Sequence, residues 1–299
     1  MASPDPLYNS SYQARTEARR RKAARRRTLL EIVVILLAVA ALWGLYTWLT
    51  TWTGRVPEVV VNEPWRLPLE GSLEDVKTGK EVPVQIVRYP GFTVNFNKYC
   101  HMPNYVVWEL TADEVDGPEQ RLSKFFEDKS VEGCATLADY KKSGFSRGHM
   151  APAADMKWSA EAMRASHNLS NVCPQQSVMN SGAWSTLEGN CRAWALRDSA
   201  LVIIAGPVLT DRMPRHIGPS RVPVPERFFK VVLAPYVDAP RGIGFVMPNA
   251  RVEGGVQACA MTIDEVEAIT GLDFFGALPD DIENEVESHA SYPLWQTLK

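Results

Sequence analysis

Residues 146–155 read SRGHMAPAAD, a run that sets a cation and an imidazole two positions apart. If the run is extended, the side chains of Arg147 and His149 point to the same side. A guanidinium can bind a phosphate bidentately, and a neutral imidazole can take a proton from water. The pair therefore suits the hydrolysis of a phosphodiester, although an ordinary loop histidine is the alternative explanation of the run alone.

A second polar run, NSGAWSTLEGNCR, occupies residues 180–192. On a helix, Asn180, Trp184, Glu188 and Arg192 recur every four residues and lie along one slowly drifting face. The carboxamide and the carboxylate could hold a hard cation such as magnesium, directly or through its waters. Arg192 could pair with Glu188 or reach a phosphate. A surface helix with a Glu–Arg pair and a core tryptophan is the alternative.

Taken together, SRGHMAPAAD, the linking SNVCPQ at 170–175 and NSGAWSTLE at 180–188 resemble the DNA/RNA non-specific endonuclease family. These are the endonuclease G-like nucleases with a ββα-metal motif. A looser likeness extends through 224–233, 243–249 and 265–280, so that it covers roughly Val82 to Glu287. The resemblance implies an α+β fold in which helices flank a central antiparallel sheet.

The resemblance also implies a site. His149 matches the general base that activates the attacking water, and Asn180 matches the direct protein ligand of a magnesium ion, for which Mn²⁺ is an alternative. Glu188 matches the acidic residue that holds metal-bound water. The implied reaction is hydrolysis of DNA and RNA to products with 5′-phosphate ends.

Three arginines match phosphate-binding residues of the family. Arg147 and Arg192 match arginines that contact the phosphate or the developing charge, and Arg121, in QRLSKFFED, matches a further phosphate-stabilising arginine. One position departs from the family pattern, because Ser146 stands where the family usually has Asp. The catalytic rate or the metal affinity can therefore differ from those of family members that have Asp at this position.

Hydrophobic periodicity predicts a sheet-rich domain. Alternation at period two predicts strands in 82–97 and 105–115, and the later apolar runs 200–209, 227–237 and 243–249 also look like strands. Helical periodicity appears from Ser177 to Leu196, and Thr262 with Glu265 forms a capping-box pattern at the start of another helix. The acidic stretch from Asp280 to Glu287 is interpreted as a solvated helix face.

The N-terminal region predicts a membrane anchor. Residues 1–28 contain eight Lys or Arg and only two acids, and the apolar run that follows ends in a cluster of aromatic residues. A span needs about 20 apolar residues, and its basic flank stays in the cytoplasm. We expect a basic cytoplasmic tail at 1–28, a transmembrane helix at 29–52, a linker at 53–75 and the nuclease domain at 76–299.

We therefore expect a single-pass membrane protein with an extracytoplasmic domain. An Arg-rich anchor without a Ser-rich, acid-poor leader favours a bacterial envelope over an organelle. A cleaved signal peptide with Ala38-Val39-Ala40 as its cleavage site is the alternative. The five cysteines form no Cys-x-x-Cys pair or zinc-type cluster, so a zinc module is not expected. The sequence also allows the chain to form a homodimer.

The charge of the chain limits how it can bind nucleic acid. Eight of the 32 basic and three of the 35 acidic residues lie in 1–54, so the remainder carries 24 against 32, a net charge of −8. A protein that binds DNA through many phosphate contacts should be basic. We therefore expect binding through a local cluster of arginines that contacts the backbone rather than the bases.

Three functions remain open from the sequence. The first is an extracytoplasmic endonuclease that degrades DNA and RNA. The second is a catalytically weakened nucleic-acid-binding or scaffold protein, against which the retention of His149, Asn180 and Glu188 argues. The third is a phosphodiesterase for smaller esters that uses the same metal chemistry.

Overall fold

The computed structural model describes residues 73–75, 80–82, 84–210 and 213–296. The chain divides into one unit of residues 1–62 and another of residues 63–299, and every described residue belongs to the second unit. The basic tail predicted at 1–28, the transmembrane helix predicted at 29–52 and most of the predicted linker lie outside the described residues. Among the helices that are described, none has the length and apolar character needed to cross a membrane.

Strands make up the centre of the domain. In chain order they are β1 (Leu73–Asp75), β2 (Lys80–Val82), β3 (Val84–Tyr89), β4 (Phe92–Asn97), β5 (Met102–Thr111), β6 (Ser146–His149), β7 (Val172–Gln175), β8 (Ala200–Val208), β9 (His216–Ile217), β10 (Val222–Pro223), β11 (Arg227–Ala234), β12 (Arg241–Pro248) and β13 (Ala260–Met261). The main sheet has the order β13-β12-β11-β8-β5-β4-β3, and every pairing in it is antiparallel. The other strands form two-stranded sheets, β1 with β2, β6 with β7 and β9 with β10.

Helices surround this sheet. In chain order they are α1 (Ala112–Val115), α2 (Leu137–Tyr140), α3 (Ala160–Ser166), α4 (Ser177–Met179), α5 (Ser185–Asp198), α6 (Ile263–Thr270), α7 (Asp280–Ser288) and α8 (Tyr292–Trp295). A wider, π-helical turn, Asn180–Trp184, joins α4 to α5. The predicted capping box of α6 is confirmed. The side chains of Thr262 and Glu265 each accept a hydrogen bond from the backbone N–H of the other residue.

Two apolar cores lie on opposite faces of the main sheet. Along β11, Phe228 and Val232 belong to one core, while Phe229 and Val231 belong to the other, as a period of two requires. Helix α5 covers the first face through side chains such as Trp194. Helices α6 and α7 cover the second face. The expected α+β fold, with a central antiparallel sheet flanked by helices, is confirmed.

Two expectations about local structure are corrected. The strand expected over 105–115 ends at Thr111, where Thr111 and Glu114 form a capping box that starts α1. The acidic stretch does form a helix, α7, but it is not solvated along its length. Glu287 is only 5% exposed, because it lies beside Val286 on the side of α7 that packs toward the sheet.

Candidate functional site

The site begins at the two-stranded ribbon of β6 and β7. Ser146–His149 pairs antiparallel with Val172–Gln175, which confirms the extended conformation expected for this run. A Cβ atom on Gly148 would lie 1.9 Å from the Oε1 atom of Gln175, so the ribbon requires glycine here. The ribbon and the helix that follows it form a ββα arrangement, as the family resemblance implies.

Arg147 and His149 lie on the same side of the ribbon, against Phe125. The Cζ atom of Arg147 lies 4.7 Å from the centre of the Phe125 ring, and the rings of Phe125 and His149 are 5.0 Å apart. Because Arg147 and His149 are two positions apart on a strand, their side chains point to the same side, as expected.

The imidazole of His149 is buried and only partly satisfied. Its Nε2 atom has no hydrogen-bond partner among the described residues, and its ring meets the ring of His167 edge to face at 5.0 Å. Burial lowers the pKa of His149 well below its ordinary value, and the charges of His167 and Arg121 lower it further. His149 is thus neutral near pH 7, and its Nε2 atom is left without a partner among the described residues.

The loop after His149 is held by Asn171. The Nδ2 atom of Asn171 donates to the carbonyl oxygens of Ala151 (2.8 Å) and Ser166 (2.9 Å), and its Oδ1 atom accepts from the backbone N–H of Ala151 (2.9 Å). These bonds fix the position of His149 relative to β7. The sequence contains the residue within SNVCPQ, but it offers no sign of this role.

The predicted helix from Ser177 to Leu196 is present but interrupted. It consists of α4, the wider turn and α5, and the backbone at Gly182 is non-helical (φ −104°, ψ −113°). Wider helical turns are frequent at functional sites. Asn249 holds the entry to α4, because its Oδ1 atom accepts from the backbone of Gln176 (2.6 Å) and its Nδ2 atom donates to the carbonyl of Pro174 (3.1 Å).

Four of the six predicted site residues line one cavity of about 300 Å³. These residues are Arg121, His149, Asn180 and Glu188. Asn180 and Glu188 are eight positions apart in sequence, and both line this cavity from the helix that the wider turn interrupts. A carboxamide oxygen and a carboxylate are oxygen ligands of the kind that Mg²⁺ prefers. Neither side chain hydrogen-bonds another described residue, so both fit a hard cation.

The carboxyl group of Glu188 is strongly affected by burial. Burial raises its pKa to about 7, and the negative charge of Asp155 adds to this, while the charges of Lys230, Arg192 and Arg121 act in the opposite direction. An opposite charge nearby favours the ionised form. A cation in the cavity would therefore lower the pKa of Glu188, as the three basic residues do.

Arg192 lies outside this cavity and binds a different acid from the one expected. Its Nη1 atom lies 2.8 Å from the Oδ1 atom of Asp155, and within the described residues it forms no ion pair with Glu188. The other oxygen of Asp155 accepts from the indole of Trp108 at 3.1 Å. Both oxygens of the buried Asp155 therefore receive a donor.

Arg147 also lies outside the cavity of His149. With Lys141, Lys142 and Ser146 it lines a neighbouring cavity of about 400 Å³. The structure therefore places a basic surface next to the site, on the far side of Phe125.

Lys230 is a residue that the sequence analysis missed. It lies on β11 with no exposed surface, its Nζ atom has no hydrogen-bond partner among the described residues, and it sits 5.1 Å and 4.5 Å from the ring centres of Trp108 and Trp184. It lies beneath the helix that carries Asn180 and Glu188. The sequence did indicate an unusual residue, because this lysine stands in the middle of a strand that is otherwise apolar on both faces.

Known proteins resemble the chain over this same region. Residues 71–281 match the model of the DNA/RNA non-specific endonuclease family. The mitochondrial nuclease EXOG of Danio rerio is 34% identical over 207 residues, which are 64% of this chain and 60% of that protein. EXOG of Mus musculus is 32% identical over 74% of this chain and 62% of its own length. The chain therefore spans about three fifths of these curated relatives.

The fold comparison agrees with the sequence comparisons. A crystal structure of the EndoG/EndoGI complex matches with a TM-score of 0.63 over 69% of this chain and 91% of that one. The sequence identity is 24%, so this likeness concerns the fold. Since the family model covers more than half of the sequence, this chain belongs to the DNA/RNA non-specific endonuclease family.

Proposed function

We propose that this chain is a metal-dependent, sugar-non-specific endonuclease that hydrolyses phosphodiester bonds of DNA and RNA. The observation that carries the proposal is the cavity that His149, whose Nε2 atom has no partner among the described residues, lines together with Asn180 and Glu188. A neutral base and two oxygen ligands around one small space are what hydrolysis of a phosphodiester requires. Membership of the family supports the same substrates.

His149 acts as the general base. Its lowered pKa keeps the imidazole neutral at pH 7, so that the Nε2 atom can accept a proton from the attacking water. Asn171 holds the loop that follows, and His167 packs against the ring. These contacts reduce the freedom of the base before substrate binds.

Asn180 would hold a divalent cation directly, and Glu188 would hold it directly or through water. Mg²⁺ is the expected ion and Mn²⁺ its alternative. The cation would neutralise the negative charge that grows on the phosphate and the leaving 3′ oxygen. Products with 5′-phosphate ends are expected.

The arginines bind phosphate at different places. Arg121 shares the cavity with His149 and contacts the scissile phosphate, while Arg147 contacts a neighbouring phosphate across Phe125. Arg192 lies outside the cavity, and its ion pair with Asp155 fixes the positions of the Arg192 and Asp155 side chains. Ser146 lies beside Arg147, and replacing it with the usual Asp should change metal affinity or rate.

The substrate is bound through its backbone. With a net charge of −8 outside residues 1–54, the chain depends on a local basic surface, so binding should be weak and sensitive to salt. Phosphates are common to DNA and RNA, which supports cleavage of both.

Residues 29–52 anchor the enzyme as a single transmembrane helix, with residues 1–28 in the cytoplasm and the nuclease domain, 76–299, outside it in a bacterial envelope. The support is the charge asymmetry and the length of the apolar run. Protease added to intact cells should digest the domain but spare an epitope placed at residue 1. A homodimer stays a prediction, which sedimentation of the full chain can test.

The test of the proposed function is a comparison of substrates. The full-length chain in detergent is incubated with supercoiled plasmid, total RNA and a small aryl phosphodiester, with Mg²⁺, with Mn²⁺ and with excess EDTA. Metal-dependent loss of both polynucleotides supports the proposal. Hydrolysis of the small ester alone favours the phosphodiesterase, and binding of plasmid without cleavage favours the scaffold protein.

A further inference from the structure

Three carboxylates from α6 and α7 meet on the face of the sheet opposite α5. Asp264 and Glu267 lie on α6 and Glu287 lies on α7, and one oxygen of each lies within 4.8 Å of the others. Asp264 is exposed, Glu267 is half-buried and Glu287 is buried. The cluster thus opens to solvent on one side and reaches into the domain on the other.

Glu287 sets this group apart from an ordinary acidic surface. It is only 5% exposed, and its Oε1 atom is buried without a hydrogen-bond partner among the described residues. A buried carboxylate that is neither paired nor hydrogen-bonded is unfavourable, so such groups normally have a partner. One carboxylate oxygen of Glu287 lies within 4.8 Å of an oxygen of each of the other two residues, and a bound cation would satisfy all three in their ionised form.

The described residues supply no such charge. None of the ion pairs among them involves Asp264, Glu267 or Glu287. Burial raises the pKa of Glu287 to about 8, and the charges that add to this are all negative. Burial and neighbouring acids raise the pKa of Glu267 to about 7, although its Oε1 atom accepts a hydrogen bond from the backbone of Phe274 at 2.6 Å, which acts in the opposite direction.

The carboxylates cannot easily move apart. A Cβ atom on Gly242 of β12 would lie 2.5 Å from both Ile263 of α6 and the carbonyl oxygen of Val286 of α7. On Gly244 it would lie 2.4 Å from Val266 of α6. The two helices therefore pack directly on the backbone of β12, which holds their acidic residues together.

We propose that Asp264, Glu267 and Glu287 form a second divalent-cation site, separate from the cavity of His149, that takes Ca²⁺ and ties α6 to α7. Ca²⁺ accepts six to eight oxygen ligands at about 2.3–2.6 Å in flexible geometry. Two oxygens on opposite sides of the ion are therefore at most ~5.2 Å apart, more than the separation within this cluster. Water completes the coordination on the exposed side of Asp264.

The test measures the melting temperature of the full-length chain in detergent. The parent is Asn180→Ala, which removes the ligand proposed for the active site, and Glu287→Gln is added to it. Ca²⁺ should raise the melting temperature of the parent by about 5 °C or more over NaCl of equal ionic strength, since a ligand that binds the folded state stabilises it. Titration calorimetry should give one Ca²⁺ per chain.

Glu287→Gln should abolish both effects. Above about pH 8 it should also raise the melting temperature without metal, because the buried carboxyl is ionised there and the amide is not. Glu285→Gln, an exposed change on the same helix, should leave the response to Ca²⁺ intact. The proposal is overturned if Ca²⁺ acts no differently from NaCl on the parent, or if the response persists in Glu287→Gln.

Discussion

The Nζ atom of Lys230 lies 4.5 Å from the centre of the Trp184 ring, between the main sheet and the helix of the candidate site. Its charge acts on Glu188 and Asp155 and favours the ionised form of both. Cation–π contacts with desolvated rings contribute about 2 kcal/mol, which partly offsets the cost of burying an ammonium group. The candidate site therefore contains a fixed buried cation below the cavity.

Replacing Lys230 with Met should leave Glu188 and Asp155 with too little compensating charge. We expect a loss of about 3 kcal/mol in the free energy of unfolding, as when a buried charge loses its partner. The acid limb of the pH–rate profile should also move to higher pH. Lys98→Met removes an exposed pair with Glu132 and should cost less than about 1 kcal/mol. Equal effects of the two changes would refute a special role for Lys230.

Replacing Asn180 with Ala should weaken metal binding while leaving the fold intact, because the side chain makes no hydrogen bond with another described residue. The Mg²⁺ concentration for half-maximal cleavage should rise at least about 100-fold, since even indirect partners of a metal change affinity by that order. Asn190→Ala, which removes only a bond to Tyr292 (3.3 Å), is the control. An unchanged Mg²⁺ dependence in Asn180→Ala would exclude Asn180 as the ligand.

Gly148→Ala should destabilise the ribbon, because its Cβ atom would collide with Gln175. The expected loss is about 2 kcal/mol or more in urea unfolding, together with reduced cleavage, because β6 carries His149. Gly189→Ala, on α5, meets only the end of Arg192 at 3.9 Å and should stabilise the domain by about 0.5–1 kcal/mol. Similar effects at the two glycines would contradict the geometry of the ribbon.

The stability of the metal-free protein should fall as pH rises toward 8. The pKa of Glu287 rises from 4.5 to about 8 on folding, so the folded state binds more protons than the unfolded state between these values. The stabilisation is complete below about pH 4.5 and is lost as pH passes about 8. In EDTA, the melting temperature of wild type should fall more steeply over this range than that of Glu287→Gln. Parallel curves would show that Glu287 does not titrate in this way.

Much of the fold follows from local sequence. The period of two in 82–97 and the spacing of Asn180 and Glu188 reflect backbone geometry, so these strands and the shared face of the helix could be predicted. The roles of the site residues came from the resemblance rather than from spacing.

The errors concern long-range contacts. Arg192 binds Asp155, which lies 37 positions away, whereas the sequence indicated Glu188 at the next turn or a phosphate as its partner. Lys230 becomes a buried cation because β11 lies under Trp184, and Glu287 becomes buried because α7 packs on β12. In each case, a charge that would be solvated in an isolated element is enclosed by a distant part of the chain.

The most direct test of the account is the nicking of supercoiled plasmid by the full-length His149→Ala variant in Mg²⁺. Removing the base should lower the rate by at least about 100-fold while circular dichroism and Mg²⁺ dependence stay close to wild type. His216→Ala, an exposed histidine, should cleave at the wild-type rate. Wild-type cleavage by a folded His149→Ala variant would contradict the assignment of His149 as the base.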